Sequence, residues 1–207
     1  MRQDVLDRAR DDPLGAPARI LDAAEEVFAE RGFTGASTRE MARRARVPLG
    51  AVHYYWGSKK GLRDAVFARL ADRFRDTLGP NLVSGNTPGE ILDHLTDAFF
   101  DLLIANRNAA RLLVRSILEP PDPQLDRLFQ ALAAFGLGAF REVEAGRDRD
   151  DAVAVFVLAG AFLVAVANES GQSMFLEGSV FKSRAVRERV CSELKRVVRS
   201  AFGVARG

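Results

Sequence analysis

Positively charged side chains are concentrated between Arg31 and Arg63, and these residues are the ones in the sequence best suited to binding chemistry. The segment holds eight basic residues and a single acidic one, Glu40, so its net charge is +7, whereas the whole chain carries +2. The basic residues are Arg31, Arg39, Arg43, Arg44, Arg46, Lys59, Lys60 and Arg63. Such a concentration is typical of a surface that binds a polyanion, because each cation can neutralise a phosphate. The alternative is a solvated basic face that has no partner.

The pattern between Ser37 and Trp56 predicts the elements that would position these charges. Ser37 and Glu40 have the spacing of a capping box, in which each side chain accepts from the other's backbone amide, and they predict the start of a short helix. Residues 45–47 are interpreted as a turn, and Pro48 suits the first position of a second helix that ends near Trp56. That second helix is predicted to bury Val52, Tyr55 and Trp56 and to expose Leu49, Gly50, His53 and Tyr54. Two short helices joined by a turn are typical of the helix-turn-helix motif, whose second helix enters the major groove of DNA.

Residues 18–67 resemble the DNA-binding domain of the TetR/AcrR family of transcriptional regulators. The residues that carry the resemblance are Ile20, Leu21, Ala24, Phe28, Gly32, Phe33, Ser37, Thr38, Met41, Ala42, Ala45, Val47, Gly50, Val52, Tyr55, Trp56, Ser58, Lys59 and Leu62. Beyond residue 70 only the helical character and the length are similar to the family.

The sequence departs from the family pattern at four positions. Arg46 stands in the turn where the family usually has glycine, so a left-handed backbone there would cost about 1 kcal/mol. Pro48 replaces a common serine, His53 a common tyrosine, and Gly61 a common acidic residue.

The predicted DNA contacts fall into two groups. Arg39, Arg44, Lys59 and the helix start at Ser37 and Thr38 are expected to hold phosphates, as is His53. Leu49, Gly50, Ala51 and Tyr54 are expected to face base edges, where Gly50 permits a close backbone approach. The full predicted set is Ser37, Thr38, Arg39, Arg44, Pro48, Leu49, Gly50, Ala51, His53, Tyr54 and Lys59.

The predicted fold class is all-α. A three-helix helix-turn-helix domain is expected at residues 17–64, and a helical ligand-binding and dimerisation domain at residues 65–207. Apolar periodicity and turn residues predict long helices at 18–31, 58–78, 88–105, 106–118, 123–145, 150–170 and 183–202. Residues 1–16 are interpreted as a flexible N-terminal arm, and the alternative is an additional DNA contact by the arginines of that arm.

Two of these helices predict a homodimer. The helix at 150–170 is apolar nearly all round, so it must be covered on every side. The helix at 183–202 has one apolar face, and together the two could form a four-helix bundle across a two-fold axis, as the family resemblance also implies. The predicted interface residues are Phe156, Phe162, Val190, Leu194 and Val198. The alternative is that the apolar helix is the centre of a monomeric bundle.

The C-terminal helices also predict a site for a small apolar effector. Phenylalanines are frequent there, and helical bundles often hold ligands between their helices. The predicted ligand residues are Phe99, Arg115, Phe129, Phe162 and Asn168. The alternative is that the phenylalanines are ordinary core and the polar residues ordinary surface.

Enzyme chemistry is not expected. Neither His53 nor His94 stands in a catalytic or metal-ligand pattern, and the single cysteine, Cys191, excludes an internal disulfide. We expect no metal and no cofactor. The N-terminus lacks the apolar stretch of a signal peptide, and the longest apolar run, residues 152–167, is short for a membrane span, so a cytoplasmic location is predicted.

The function predicted from these features is that of a dimeric, sequence-specific transcriptional regulator of double-stranded DNA. The family resemblance implies a repressor that a small-molecule effector releases from a palindromic operator. Two alternatives remain open at this point. One is a non-specific architectural DNA-binding protein, and the other is a small-molecule-binding helical module without a DNA function.

Overall fold

The computed structural model describes residues 15–80, 87–118 and 178–201, together with Gln172, Leu176 and Gly203. In these ranges the chain forms seven helices and no strand, which confirms the all-α fold class. The helices are α1 (Gly15–Gly35), α2 (Thr38–Arg44), α3 (Leu49–Trp56), α4 (Lys59–Leu78), α5 (Pro88–Ala105), α6 (Arg107–Leu118) and α7 (Arg184–Ala201). The helices predicted at 123–145 and 150–170, and the arm at residues 1–14, lie outside the described residues.

Capping residues set several helix starts where the sequence predicted them. At α4 the Ser58 side chain accepts a hydrogen bond of 3.0 Å from the Gly61 amide. At α5 Thr87 and Glu90 form a capping box, with hydrogen bonds of 3.3 and 3.1 Å, and Pro88 occupies the first turn. The helical path of α1 is interrupted at the predicted residue, Gly32, whose φ of 68° favours glycine, although its ψ of 175° is not that of the left-handed cap that was predicted.

The capping box predicted at the start of α2 is wrong. Ser37 occupies the N-cap position, but its side chain makes no capping hydrogen bond. The Glu40 carboxylate instead accepts from Arg43 at 2.8 and 3.1 Å and from Arg44 at 2.9 Å. Hydrogen bonds between guanidinium and carboxylate are charge-assisted and therefore stronger than a bond from a neutral amide. Pro48 is likewise the N-cap of α3 and not its first helical residue.

One hydrophobic core extends from α1 through α4 into α5 and α6. Phe28 of α1, Phe74 of α4, and Phe100 and Leu103 of α5 each expose 1% or less of their surface. Phe99, predicted as a ligand residue, is half-buried against this core, and its ring centroid lies 6.1 Å from that of Phe74. Because α4 contributes to both ends of this core, it joins the N-terminal helices to the C-terminal ones.

An ion-pair cluster at the middle of α1 reinforces this junction. Glu25 is buried, and its carboxylate accepts from Arg69 at 2.7 Å and from Arg73 at 3.0 Å, both on α4. Arg69 also binds Asp22 at 2.6 Å, and Arg73 lies 3.4 Å from the Asn106 side chain between α5 and α6. A buried carboxylate with two guanidinium partners is held in one geometry, since removal of either partner would leave charge uncompensated.

Arg115 of α6, predicted as a ligand residue, forms a second link to α1. Its Nε and Nη2 atoms each donate a hydrogen bond of 2.8 Å, to the carbonyl oxygens of Ala29 and Glu30. These carbonyls lie just before the break at Gly32, so the guanidinium ties α6 to this end of α1. The prediction that Arg115 orients a ligand stays a prediction. Phe129, Phe162 and Asn168 lie outside the described residues.

Polar contacts hold α7 against α5 of the same chain. Lys195 binds Asp97 at 2.6 Å, and Arg199 forms a bidentate ion pair with Asp93, with hydrogen bonds of 2.8 and 2.7 Å. The Cys191 thiol donates to Asp97 at 3.2 Å, and burial, followed by this hydrogen bond, raises the pKa of Cys191 to about 12. The thiol is therefore kept in its neutral form.

The predicted dimer interface stays a prediction. Val190 and Leu194 of α7 are partly buried against the core of the same chain, and Val198 is half-buried. No residue of α7 is fully buried within the described part of the chain. Phe156 and Phe162 lie outside the described residues. In the described part of the chain, no helix has the length and apolar character needed to cross a membrane.

Candidate nucleic-acid interface

The inner faces of α2 and α3 are fixed by packing against α1 and α4. Met41 and Ala42 of α2 and Val52 of α3 expose 4% or less of their surface and belong to the same core as Phe28. Tyr55 and Trp56 are half-buried against this core. Since these contacts leave α3 only one possible outward face, the packing decides which of its residues can meet a partner.

A left-handed residue closes the turn between α2 and α3. The Val47 amide donates to the Ala42 carbonyl at 3.0 Å, and the Arg46 amide donates to the Arg43 carbonyl at 3.2 Å. This pair of bonds is a Schellman motif, which requires a left-handed residue directly after the helix cap. Arg46 occupies that place with a φ of 56°. Arg46 therefore adopts the left-handed conformation whose cost was named in the sequence analysis.

The outward face of α3 presents Gly50, His53 and Tyr54. Tyr54 exposes 70% of its surface, and its ring lies edge-on to that of Tyr55 with centroids 5.1 Å apart. His53 is exposed, with its Nδ1 atom 3.3 Å from the Gly57 carbonyl oxygen. A Cβ atom built on Gly50 would meet nothing within 4 Å. The absence of a side chain at Gly50 is therefore not required by packing within the described residues.

The prediction that Ala51 faces base edges is wrong. Ala51 exposes 3% of its surface and belongs to the core beside Val52. Leu49 is half-buried and packs against the same core. Residues 51, 52 and 55 lie along one stripe of a helix with 3.6 residues per turn, and that stripe is the one that packs on α1 and α4.

Arg44 was predicted to hold a phosphate. Its guanidinium is instead bound by three carboxylates, so it is not available for that contact. Its guanidinium lies 2.6 Å from Glu30, 2.9 Å from Glu40 and 3.4 Å from Glu26. The hydrogen bonds that Arg44 donates to Glu30 and then to Glu40 raise the pKa of Arg44 further above its usual value. The bonds from Arg43 and then Arg44 lower the pKa of Glu40 to about 2. Arg44 therefore ties α2 to α1.

Lys59 is also occupied inside the domain, against its predicted contact with phosphate. Its Nζ atom donates to the carbonyl oxygens of Phe33 at 2.8 Å and Ala36 at 3.1 Å, and lies 3.4 Å from that of Thr34. The ammonium group also lies 4.6 Å from the centre of the Phe33 ring. Because several carbonyls converge on one ammonium group, Lys59 joins the start of α4 to the end of α1 and to Ala36 just after it.

The basic segment therefore offers fewer free charges than its sequence suggests. Arg43 is paired with Glu40, Lys60 with Asp64 at 3.0 Å, and the buried Arg63 lies over the Phe33 ring at 4.3 Å. The cationic side chains that are exposed and make no ion pair or hydrogen bond with the described part of the chain are Arg31, Arg39 and Arg46.

The surface that remains for a polyanion is made of exposed and half-buried residues of the α2–turn–α3 unit. It contains Ser37, Thr38 and Arg39 at the start of α2, Arg46 and Pro48 at the turn, and Gly50, His53 and Tyr54 on α3. Sequence reasoning missed Arg46, although its place after the end of a helix could have marked it as an outward-pointing cation. Hydroxyls, cations and an exposed aromatic ring beside a short helix are the groups that contact phosphates and base edges.

These features define a helix-turn-helix DNA-binding domain. Residues 20–66 match the family model of the bacterial regulatory proteins of the tetR family. The chain is 29% identical over 99 residues to the HTH-type transcriptional regulator HbdR of Aromatoleum, an alignment that covers 47% of this chain and 43% of the relative. It is 31% identical over 117 residues to an HTH-type transcriptional repressor of Mycobacterium tuberculosis, covering 56% of this chain and 54% of the relative. Residues 20–66 therefore form a DNA-binding domain of the tetR family type.

The fold is similar beyond the DNA-binding domain as well. A TetR-like transcriptional regulator from a Rhodococcus species superposes with a TM-score of 0.66 at 23% identity, over 93% of this chain and 98% of that one. In sequence, the chain spans about half the length of the curated relatives it matches, since the alignments cover 43% and 54% of the first two.

Proposed function

We propose that this protein is a sequence-specific DNA-binding transcriptional regulator, and that it acts as a repressor. The observation that carries the proposal is Tyr54, which exposes 70% of its surface and is the single large hydrophobic side chain with such exposure among the described residues. It stands on the outward face of a helix whose inner face is locked in the core. An aromatic ring held in water by a rigid support is a feature of binding surfaces.

The proposed contacts divide between backbone and bases. Ser37, Thr38, Arg39 and His53 would bind phosphates and set the register of the domain on the duplex. Gly50 and Tyr54 would lie against base edges in the major groove, where Gly50 allows α3 to approach closely. Pro48 would fix the chain direction at the edge of the groove, since its ring restricts φ.

We further propose that the active form is a homodimer that reads a palindromic operator in the cytoplasm. Two recognition helices related by a two-fold axis would meet half-sites about 34 Å apart. Among relatives of the same family, the repressor of Mycobacterium tuberculosis supports repression as the direction of control.

The effector is proposed to be a small apolar molecule bound among the C-terminal helices. A structural neighbour, FadR of Bacillus subtilis, was solved in complex with stearoyl-CoA, and it superposes with a TM-score of 0.69 at 18% identity over 88% of this chain and 97% of that one. The acyl chain of that ligand belongs to the chemical class proposed here. Effector release of DNA requires that the molecule binds the two conformations with different affinities.

The proposal is tested by selecting bound fragments from random double-stranded DNA at about 150 mM salt. The wild-type chain is compared with Tyr54→Ala and with Arg196→Ala, a control on the exposed side of α7. We expect an enriched palindrome for the wild type and for the control. Tyr54→Ala should lose affinity for the enriched sequence by at least about tenfold while its binding to random DNA changes little.

Other outcomes point to other functions. Steep salt dependence without an enriched sequence would indicate a non-specific architectural protein. The absence of DNA binding by a folded wild-type protein would favour a small-molecule-binding module. Equal loss by Tyr54→Ala on enriched and random DNA would contradict the base contact and leave Tyr54 in a general role.

A further inference from the structure

Arg46 occupies a backbone position that ordinarily belongs to glycine. The Schellman motif at the end of α2 is complete, with the Val47 and Arg46 amides bonded to the Ala42 and Arg43 carbonyls at 3.0 and 3.2 Å. The residue between these two bonds must be left-handed, and Arg46 takes a φ of 56°. Glycine, and after it asparagine, fit this place without the steric penalty that a β-carbon brings.

No contact within the described residues explains why an arginine stands there. The Arg46 side chain is exposed and makes no hydrogen bond, ion pair or ring contact with the described part of the chain. Arg43 and Arg44, by contrast, are both engaged by Glu40. A strained backbone conformation whose energetic cost no internal contact offsets is a feature of functional sites, where contacts with a partner outside the chain offset that cost.

The location of Arg46 indicates what that partner is. The residue lies two positions before Pro48, the N-cap of α3. It is therefore next to the N-terminal end of α3, and in a helix-turn-helix protein this second helix is the one that enters the groove. Phosphates line both edges of the major groove. A guanidinium group that extends from this turn is the group best suited to bind one of them, because its planar donors match phosphate oxygens.

We propose that Arg46 binds a backbone phosphate of double-stranded DNA at the edge of the groove that α3 enters. The inference rests on the proposed function above and adds one contact to it. In this arrangement the strained turn orients the guanidinium next to the start of α3. Arg46 then fixes the position of the helix along the groove without reading a base.

The size of the effect follows from counterion release. Each phosphate contact changes the slope of log affinity against log salt by about 0.9, so one contact contributes about eightfold in affinity at roughly 0.1 M salt. Loss of Arg46 should therefore weaken binding about five- to tenfold at that salt concentration and reduce the salt slope by about one. The loss should be uniform over sequences, because phosphates carry no sequence information.

The experiment measures binding of a fluorescent duplex pool of random sequence by anisotropy, at several salt concentrations, together with thermal unfolding. The variants are Arg46→Asn and Arg46→Gly, which remove the charge and suit the left-handed turn, and Arg46→Lys, which keeps the charge. Arg196→Ala on α7 is the matched control, because it removes one charge far from α3. We expect the asparagine and glycine variants to unfold at the wild-type temperature or above it, yet to bind about five- to tenfold more weakly with a lower salt slope.

The control variants separate the possible results. Arg46→Lys should retain most of the affinity, within about threefold of the wild type, because an ammonium group still binds phosphate. If the asparagine and glycine variants bind like Arg196→Ala, with an unchanged salt slope, Arg46 does not touch DNA and the inference is wrong. Failure of the wild type itself to bind the pool would overturn the proposed function, and this inference with it, which is a result distinct from a change confined to the variants.

Discussion

Gly50→Ala is expected to stabilise the protein and to weaken its binding to DNA. Gly50 lies in the first turn of α3 and is exposed, and a Cβ atom built there would meet no atom within 4 Å. The two effects have separate causes. The change in stability arises within the chain, whereas the change in affinity arises only where α3 contacts DNA.

The stabilising effect follows from the lower conformational entropy of alanine in the unfolded chain and its higher helix propensity. The replacement of glycine by alanine inside a helix is worth about 0.5–1 kcal/mol where nothing obstructs the methyl group. For a chain of 207 residues this corresponds to an increase in Tm of about 1–4 °C.

The loss of binding follows from the proposed closeness of α3 to the base edges. A methyl group inserted into a packed contact costs about 1–3 kcal/mol, since neighbouring atoms must move apart. The Kd for the selected operator should therefore rise by about fivefold to 150-fold. Thermal unfolding and anisotropy on one preparation measure both effects.

Gly61→Ala is the matched control for this variant. A Cβ atom built on Gly61 would lie 2.5 Å from the carbonyl oxygen of Trp56, so the backbone at the start of α4 must shift. The same chemical change should thus lower Tm at this position, although Gly61 has no proposed contact with DNA. If Gly50→Ala binds the operator as tightly as the wild type does, that part of α3 does not approach the bases and the proposed docking is wrong.

Two further predictions concern the capping and charge of the same domain. Ser58→Ala should lower the free energy of unfolding, measured with urea, by about 1 kcal/mol, because Ser58 caps α4. Ser37→Ala should change it by less than about 0.5 kcal/mol, because Ser37 makes no capping bond. Equal losses would contradict this assignment. The Tm difference between the wild type and Glu40→Gln should be present at neutral pH and should shrink as the pH falls from 4.5 towards 2, since a carboxyl whose pKa is lowered from 4.5 to about 2 stabilises the fold only while it is charged. A difference that stays constant over this range would show that the Glu40 charge does not stabilise the domain.

Helix positions could be predicted because local signals decide them. Ser58, Pro88 and Gly32 have the chemistry of caps and breaks, and the helices begin or are interrupted where these residues indicated. For Arg46 the sequence indicated only what a left-handed conformation would cost, and the structure shows that the residue adopts it. In each case the decisive contacts join residues within one turn of one another.

The site could be predicted only in part, because distant residues compete for its charges. Nothing near Arg44 in the sequence shows that Glu26 and Glu30 of α1 will bind it, or that carbonyl oxygens at the end of α1 and just after it will bind Lys59. A count of basic residues therefore overestimated the surface available to phosphates. The prediction for Ala51 was wrong for a related reason. Its small side chain suits both a core and a base contact, and the packing of α3 against distant residues buries it in the core.

The two links between α1 and the C-terminal helices restrict how the DNA-binding domain can move. Glu25 is bound by α4, and the carbonyl of Ala29 is bound by Arg115 of α6, so the attachment points lie four residues apart, about 6 Å along the axis of α1. The hydrophobic core that α1 shares with α4, α5 and α6 acts together with these two links, so α1 is coupled to the C-terminal helices along the stretch that carries them. Any translation of the domain away from α6 requires at least one of these attachments to break.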